Sequence, residues 1–488
     1  MRPHPHLFEI STWPWLERLS RREGRRVTLG SVPDAEWDRI AQLGFDCVFL
    51  MGVWRRSALG RFMARTDRTR LDQYDRALPG WSFDDVCGSP YSIQAYEPDE
   101  RMGGWDDLAR ARDALASRNI RLILDFVPNH TGLDHPWVRS RPDLYVQGTL
   151  DDYRDSPELF HPLDDDGRVR FVACGRDPFF PAWHDVAQLN YFNPETRAVM
   201  VDTLAGIAER CDGVRCDMAM LVLNDVFERT WRSILRDRWA APRDEFWPAA
   251  IARVPGLLYV AEVYWDREWS LQQQGFHFTY DKRLLDRLHQ GSTADVRAHL
   301  ATDRAFSDRL VRFLENHDEE RSAAVFGARL PAAATLAATL PGMRFFFDGQ
   351  LEGRRVRAPV QLARWSEEPV DAAVADLYER LLRAASMPAL HDGEWTLHDV
   401  ASAGDATFGS LVAYSWRWER DWVVVAANLS ASEAQGLVHI DAPPDGAAFT
   451  FRDQLSDESY RWDREDLRNG LYVRLPGGRA LFCDVQRA

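Results

Sequence analysis

Short apolar runs recur along the chain, and between them hydrophobic positions fall at the three- and four-residue spacing of helices. Leu7–Ser11 reads as a first strand. Ser31, Pro33 and Asp34 then open a helix that places Trp37, Ile40 and Leu43 on one face, before a second apolar run at Phe45–Val53. A helix near Trp105–Ser117 feeds a third run, RLILDFV. Asn193–Pro194 caps a helix through Ala208 that leads into GVRCDMA, and Asp225–Trp239 has the pattern of the next helix. The runs LLYVAEVY, FHFTYD, LVRFLENH and MRFFFDG complete the series. Eight strands alternating with helices predict parallel βα units closed into an α/β (β/α)8 TIM barrel.

Two stretches interrupt this rhythm. Between the third strand and Asn193 lies a segment rich in Asp, Pro, Gly and aromatics, too long for an ordinary βα connection. It is expected to form an inserted subdomain at 131–185, seated over the strand ends. After a helix at Val370–Ala385 only strand patterns remain, as in SLVAYSWRW, DWVVVAANLS and LYVRLPGGRALFCDVQ. These predict a C-terminal antiparallel β-sandwich at 389–488, leaving 1–130 and 186–388 to the barrel.

At 488 residues and 45% hydrophobic content the chain can bury a large core. Its formal charge of −15 argues against nucleic acid or an anionic membrane as partner, since both select basic surfaces. A neutral substrate suits this balance. Lys282 is the only lysine, a composition bias without functional weight. MRPHPHLFEIST has no signal-peptide core, and no apolar stretch is long enough to span a bilayer, so a cytoplasmic location is expected. The six cysteines form no CxxC, and three lie in apolar runs, so neither disulfides nor zinc are expected.

Chemistry in a βα barrel sits at the carboxyl ends of its strands, which makes the polar residues that end apolar runs the ones to collect. The third strand ends in DFVPNH, with Asp125, Asn129 and His130. In GVRCDMAML, Arg215 and Asp217 alternate with Val214 and Cys216 and share one face. AEVYW supplies Glu262, and ENHDEER supplies His317 and Asp318. Taken alone, Arg215 and Asp217 could be a structural ion pair and the histidines satisfied core residues. Three carboxylates, two imidazoles and a guanidinium at successive strand ends favour a catalytic site. No phosphate loop, nicotinamide fingerprint, Cys/His ligand set or serine elbow competes with them.

The stretches DFVPNH, GVRCDMAML, AEVYW and ENHDEER resemble, in order and spacing, the four signature regions of the α-amylase family of glycoside hydrolases. The resemblance implies a TIM barrel, a domain inserted after the third strand and a C-terminal β-sandwich. It implies Asp217 as nucleophile, Glu262 as acid/base and Asp318 as the carboxylate that grips sugar hydroxyls. Arg215, His130 and His317 match groups that orient the nucleophile or bind the sugar, and Tyr91, in GSPYSIQAY, matches a tyrosine that stacks on it. Asp125 and Asn129 match supporting positions. In its calcium-binding members the family pairs the asparagine at Asn129 with an aspartate of the inserted domain. Calcium is therefore possible here, although Asp151, Asp152, Asp155 and Asp164 to Asp166 offer no evident partner, and no other cofactor is required.

A retaining double displacement on α-glucosidic bonds of glucans or short α-glucosides is the expected activity. A glucanotransferase would use the same residues, and a non-catalytic carbohydrate-binding homologue is the reading from another class. Arg215 is expected to lower the pKa of Asp217, and burial near Trp265 to raise that of Glu262. Met220 and Leu221 stand where many α-amylases carry Lys and His, which predicts an apolar wall on the leaving-group side unless Asp185 or Gln188 supplies hydrogen bonds. Trp54, Trp183 and Trp265 are candidate sugar platforms.

Overall fold

The computed structural model describes residues 1–165, 167–443 and 446–488. Eight parallel strands close into a barrel: β1 (His6–Ser11), β2 (Cys47–Met51), β3 (Arg121–Phe126), β4 (Gly213–Cys216), β5 (Leu258–Ala261), β6 (Phe278–Tyr280), β7 (Leu310–Arg312) and β8 (Met343–Phe347). Each pairs with its neighbours in sequence, and β8 pairs back onto β1 through His6 opposite Arg344. All eight correspond to apolar runs of the sequence. Strands buried on both faces have no polar side to show, which is why most read as continuous runs, whereas β4 alternates and turns Arg215 toward the site. Helices cover the outside. In the helix Pro194–Ala208, the Asn193 side chain accepts from the Glu195 N–H, so cap and proline act together as the sequence suggests.

Between β3 and β4 the chain builds a small antiparallel sheet in the order His130–Gly132, Trp183–Gln188, Arg168–Gly175, Gln147–Gly148, with Phe160–Asp165 also paired to Arg168–Gly175. Its first strand starts at His130, only four residues past β3, so the sheet grows directly out of the barrel rim. Past the barrel, six antiparallel strands from Glu394 to Arg487 face a three-stranded sheet of Val400–Ala401, Ala434–Val438 and Leu471–Leu475. Alternation along Leu411–Trp418 sends Leu411 and Ala413 into the core between these sheets, and Val412, Tyr414 and Trp416 onto the barrel. Trp416 donates its indole N–H to the Thr339 carbonyl, 2.8 Å away. No helix is long and apolar enough to cross a membrane among the described residues.

Candidate active site

Asp217 directly follows β4, and its backbone N–H still bonds the Phe126 carbonyl at the end of β3. Glu262 follows β5, with its N–H on the Cys216 carbonyl. Barrel register therefore sets the two carboxylates side by side. Arg215, 1% exposed, reaches both: Nη1 lies 2.7 Å from Asp217 Oδ1 and Nη2 2.7 Å from Glu262 Oε2, with Asp125 Oδ1 3.6 Å away. Met218 then turns into the left-handed region at φ 42°, and its N–H donates to Glu262 Oε2 at 2.8 Å. Tyr264 donates its hydroxyl to Glu262 Oε1 at 2.9 Å.

The opposite wall comes from β7 and β1. His317 Nδ1 lies 2.5 Å from Glu9 Oε1, and its Nε2 faces Asp318 Oδ2 at 3.0 Å and the Tyr91 hydroxyl at 2.6 Å. Tyr91 also stacks on the His317 ring and carries the Arg215 guanidinium over its own ring at 5.1 Å. On the far side His130 stands edge-on to Trp183. Asp125 accepts from the Gly52 N–H at 2.8 Å. Gly52, at φ 79°, has no room for a side chain, since a Cβ would meet Pro90 at 2.8 Å. The structure thus gathers Asp217, Glu262, Asp318, Arg215, His317, Tyr91 and Asp125 into one charged pocket, with His130 and Asn129 at its edge.

Electrostatics differ from the sequence expectation. Burial pushes the Asp217 carboxyl up; Arg215 opposes the rise, and the Glu262 charge adds to it. The expected lowering fails because Arg215 is shared by several carboxylates, and desolvation outweighs its share. Burial also raises Asp125 to about 6, against the Arg215 charge. For His317 the burial penalty is overcome by Asp318 and Glu9, which hold the imidazole charged well above its ordinary range. Burial works against Asp318 as well, yet His317 pulls that carboxyl below its usual range.

Other expectations need correction. Met220 and Leu221 are 0% and 3% exposed and belong to the hydrophobic core, so they do not form an open apolar wall; Met218 is the part-exposed member of that segment. Trp54 is likewise core, donating its N–H to the Asp125 carbonyl, whereas Trp183 and Trp265 remain partly open. Gln188 is fully buried and makes its bonds within the protein. Sequence reasoning missed Glu9, Tyr264 and Tyr280. Glu9 was findable as a carboxylate near the end of an apolar strand, but nothing in sequence tells which barrel neighbour it meets.

Calcium does not fit the donors at Asn129. Its Oδ1 accepts from Gln188 Nε2 at 2.9 Å and its Nδ2 donates to Gln188 Oε1 at 3.2 Å, a reciprocal neutral pair. Calcium sites are built from several oxygens that include carboxylates. Asp152 is committed to Arg236 and to its own helix cap, and Asp166 lies outside the described residues. Among the described residues no group of three His, Cys, Asp or Glu could hold a metal.

No family model matches the chain. It is 25% identical over 387 residues to the α-amylase MalA of Haloarcula japonica, covering 78% of this chain and 51% of that one. It is 27% identical over 291 residues to a 4-α-glucanotransferase of Thermotoga neapolitana, covering 54% and 59%. The chain thus spans about half the length of the curated relatives it matches. Among solved structures, an α-amylase of Geobacillus thermoleovorans complexed with acarbose superposes with a TM-score of 0.67 at 18% identity, covering 100% and 99% of the two chains. An α-amylase of Lactobacillus plantarum gives 0.66 at 19% identity, covering 99% of each. Curated relatives and shared fold are together consistent with the α-amylase family, whose four signature stretches the sequence resembles.

Proposed function

We propose that this chain cleaves or transfers α-glucosidic bonds by double displacement. The observation that carries the proposal is the meeting of Asp217, Glu262 and Asp318, from the ends of β4, β5 and β7, around Arg215 and His317. Asp217 attacks the anomeric carbon while Glu262 gives its proton to the departing glycosidic oxygen, so the C–O bond breaks as the glycosyl ester forms. Glu262 then takes a proton from water or from a sugar hydroxyl, whose oxygen displaces Asp217. A guanidinium held by both carboxylates supports the short separation of about 5 to 5.5 Å that retaining enzymes use. Asp318, Tyr91, His317 and His130 orient the sugar. Curated relatives that include α-amylases, glucanotransferases and trehalose synthases support both hydrolysis and transfer.

Proton NMR of the first turnovers on an α-linked substrate tests the mechanism. Retention is expected, giving the α-anomer first. Initial release of the β-anomer would exclude Asp217 as nucleophile.

A further inference from the structure

Beside the catalytic pocket opens a cleft of about 450 Å³, in the size range that holds a small ligand. It shares His317 and Asp318 with the site but is not lined by Met218 or Glu262. The cleft therefore opens on the sugar-gripping wall and not on the acid/base. Its walls carry three guanidinium groups, Arg70, Arg76 and Arg357, against the two carboxylates of Asp318 and Glu320. The first two lie on the helix Arg68–Ala77, linked by Gln73 at three-residue spacing along one ridge that lines the cleft.

These arginines are loosely held. Arg70 has a single contact to Asp67 at 3.3 Å, Arg357 one to Glu320 at 3.5 Å, and Arg76 donates to the Asp72 carbonyl at 3.1 Å. Among the described residues Arg76 has no carboxylate partner. By contrast, Arg215 and Arg321 lie 2.7 Å from their carboxylates in the same molecule. A guanidinium carries five donors, so most of those facing the cleft are uncommitted. No Trp, Tyr or Phe ring lines the cleft among the described residues. A bare sugar face would gain little there, and an oxyanion could accept paired N–H bonds. Three cations at this spot also run against a chain of formal charge −15 and a pocket floor crowded with carboxylates.

We infer that this cleft receives an anionic group, phosphate or carboxylate, carried by the sugar unit one step beyond the cleaved residue on the glycone side. The inference rests on the α-glucoside activity proposed above and names its substrate class. An outer unit so anchored would select donors of a charged disaccharyl unit, linked to a separate leaving group, over neutral glucans.

Calorimetric titration of the Asp217→Asn variant at low salt tests this with three probes: maltose, maltose 6′-phosphate, and the disaccharide whose outer glucose is oxidised to a glucuronate. At least one anionic probe should bind about tenfold or more tighter than maltose, equal to ~1.4 kcal/mol. Comparison of the two distinguishes phosphate from carboxylate. Adding Arg76→Gln or Arg357→Gln should reduce the preference several-fold, whereas Arg383→Gln, an exposed arginine elsewhere, should leave it intact. Maltose binding as tightly as both anions, or a preference that survives both cleft variants, would overturn the inference. Should none of the three bind, the α-glucoside reading fails, and inorganic phosphate then decides the cleft. Millimolar phosphate binding that Arg76→Gln abolishes supports an anion site, and no phosphate binding removes it.

Discussion

Two arginines in this barrel are buried to the same degree and serve opposite ends. Arg215 on β4 and Arg312 on β7 each expose 1% of their side chains. Arg312 is matched: it pairs with Asp281, which His299 also contacts, and gives its remaining N–H groups to the Pro341 carbonyl at 2.9 Å and to Ser307 Oγ at 2.7 Å. Burial of Asp281 is more than offset by Arg312 and His299, so its carboxyl is held below the usual range. Arg215 is outnumbered by Asp125, Asp217 and Glu262, and its Nε has no hydrogen-bond partner. There burial wins, and Asp217 and Asp125 rise. A balanced ion cluster holds a fold together. An excess of buried negative charge is costly at rest and suits the positive charge that develops at an anomeric carbon during glycoside cleavage.

Asp217→Asn and Glu262→Gln break the comparison most strongly. Each should lower kcat/KM on an aryl α-glucoside by more than about 1,000-fold, or ~4 kcal/mol in the barrier. Because burial makes the Asp217 carboxyl costly to ionise in the fold, the thermal midpoint of Asp217→Asn should match or exceed that of the wild type. Activity within tenfold of wild type in either variant would refute the assigned roles.

Arg312→Met tests the other half. It leaves Asp281 buried without its guanidinium, and a loss of about 3 to 5 kcal/mol in denaturant unfolding is expected. Folded enzyme should keep kcat/KM within about threefold. A comparable collapse of activity would mean that the two clusters are not separable.

The pH profile sharpens the distinction. Asp217 is raised in the folded state to about 8, from an unfolded value near ~3.9. The folded chain therefore holds the extra proton, and stability from this group is full below the unfolded pKa and declines as pH rises toward 8. Asp217→Asn should flatten that decline in a series of thermal melts. As the nucleophile Asp217 must be ionised, so activity should rise toward pH 8 as its raised carboxyl loses the proton. A profile that falls steadily from about pH 5 to 8 would count against the raised carboxyl.

The smallest effect concerns metal. With Asn129 and Gln188 satisfying one another, chelation by EDTA should move the thermal midpoint by no more than ~1 °C. A large drop restored by calcium would show a site elsewhere.

The barrel was legible because its strands are apolar runs, most of them with a polar residue at the carboxyl end, and a run of that kind survives in sequence without its neighbours. The residues Asp217, Glu262, Asp318, Arg215 and His317 follow from that rule. What stayed hidden depends on who meets whom across the closed sheet. His317 finds Glu9 only because β8 pairs back onto β1, a contact spanning 308 residues. The direction of the Asp217 shift was misjudged for the same reason, since the sequence shows Arg215 beside one carboxylate and the fold gives it three. Met220 and Leu221 were read as lining a pocket because their neighbour Asp217 does; the tight turn at Ala219–Val222 folds them into the core.

The barrel-facing stripe of the C-terminal sheet has a consequence for how the molecule comes apart. Val412, Tyr414 and Trp416 belong to the same continuous core as the barrel strands, not to the core between the two terminal sheets. A shortened chain ending after the helix Ala372–Ala385 would therefore not be a bare catalytic barrel. It would be a barrel with one flank stripped, exposing an oily seam beside Thr339 and losing the indole bond that crosses it. Barrel and terminal sheet should melt as one transition, and the truncated form should aggregate rather than work at reduced speed.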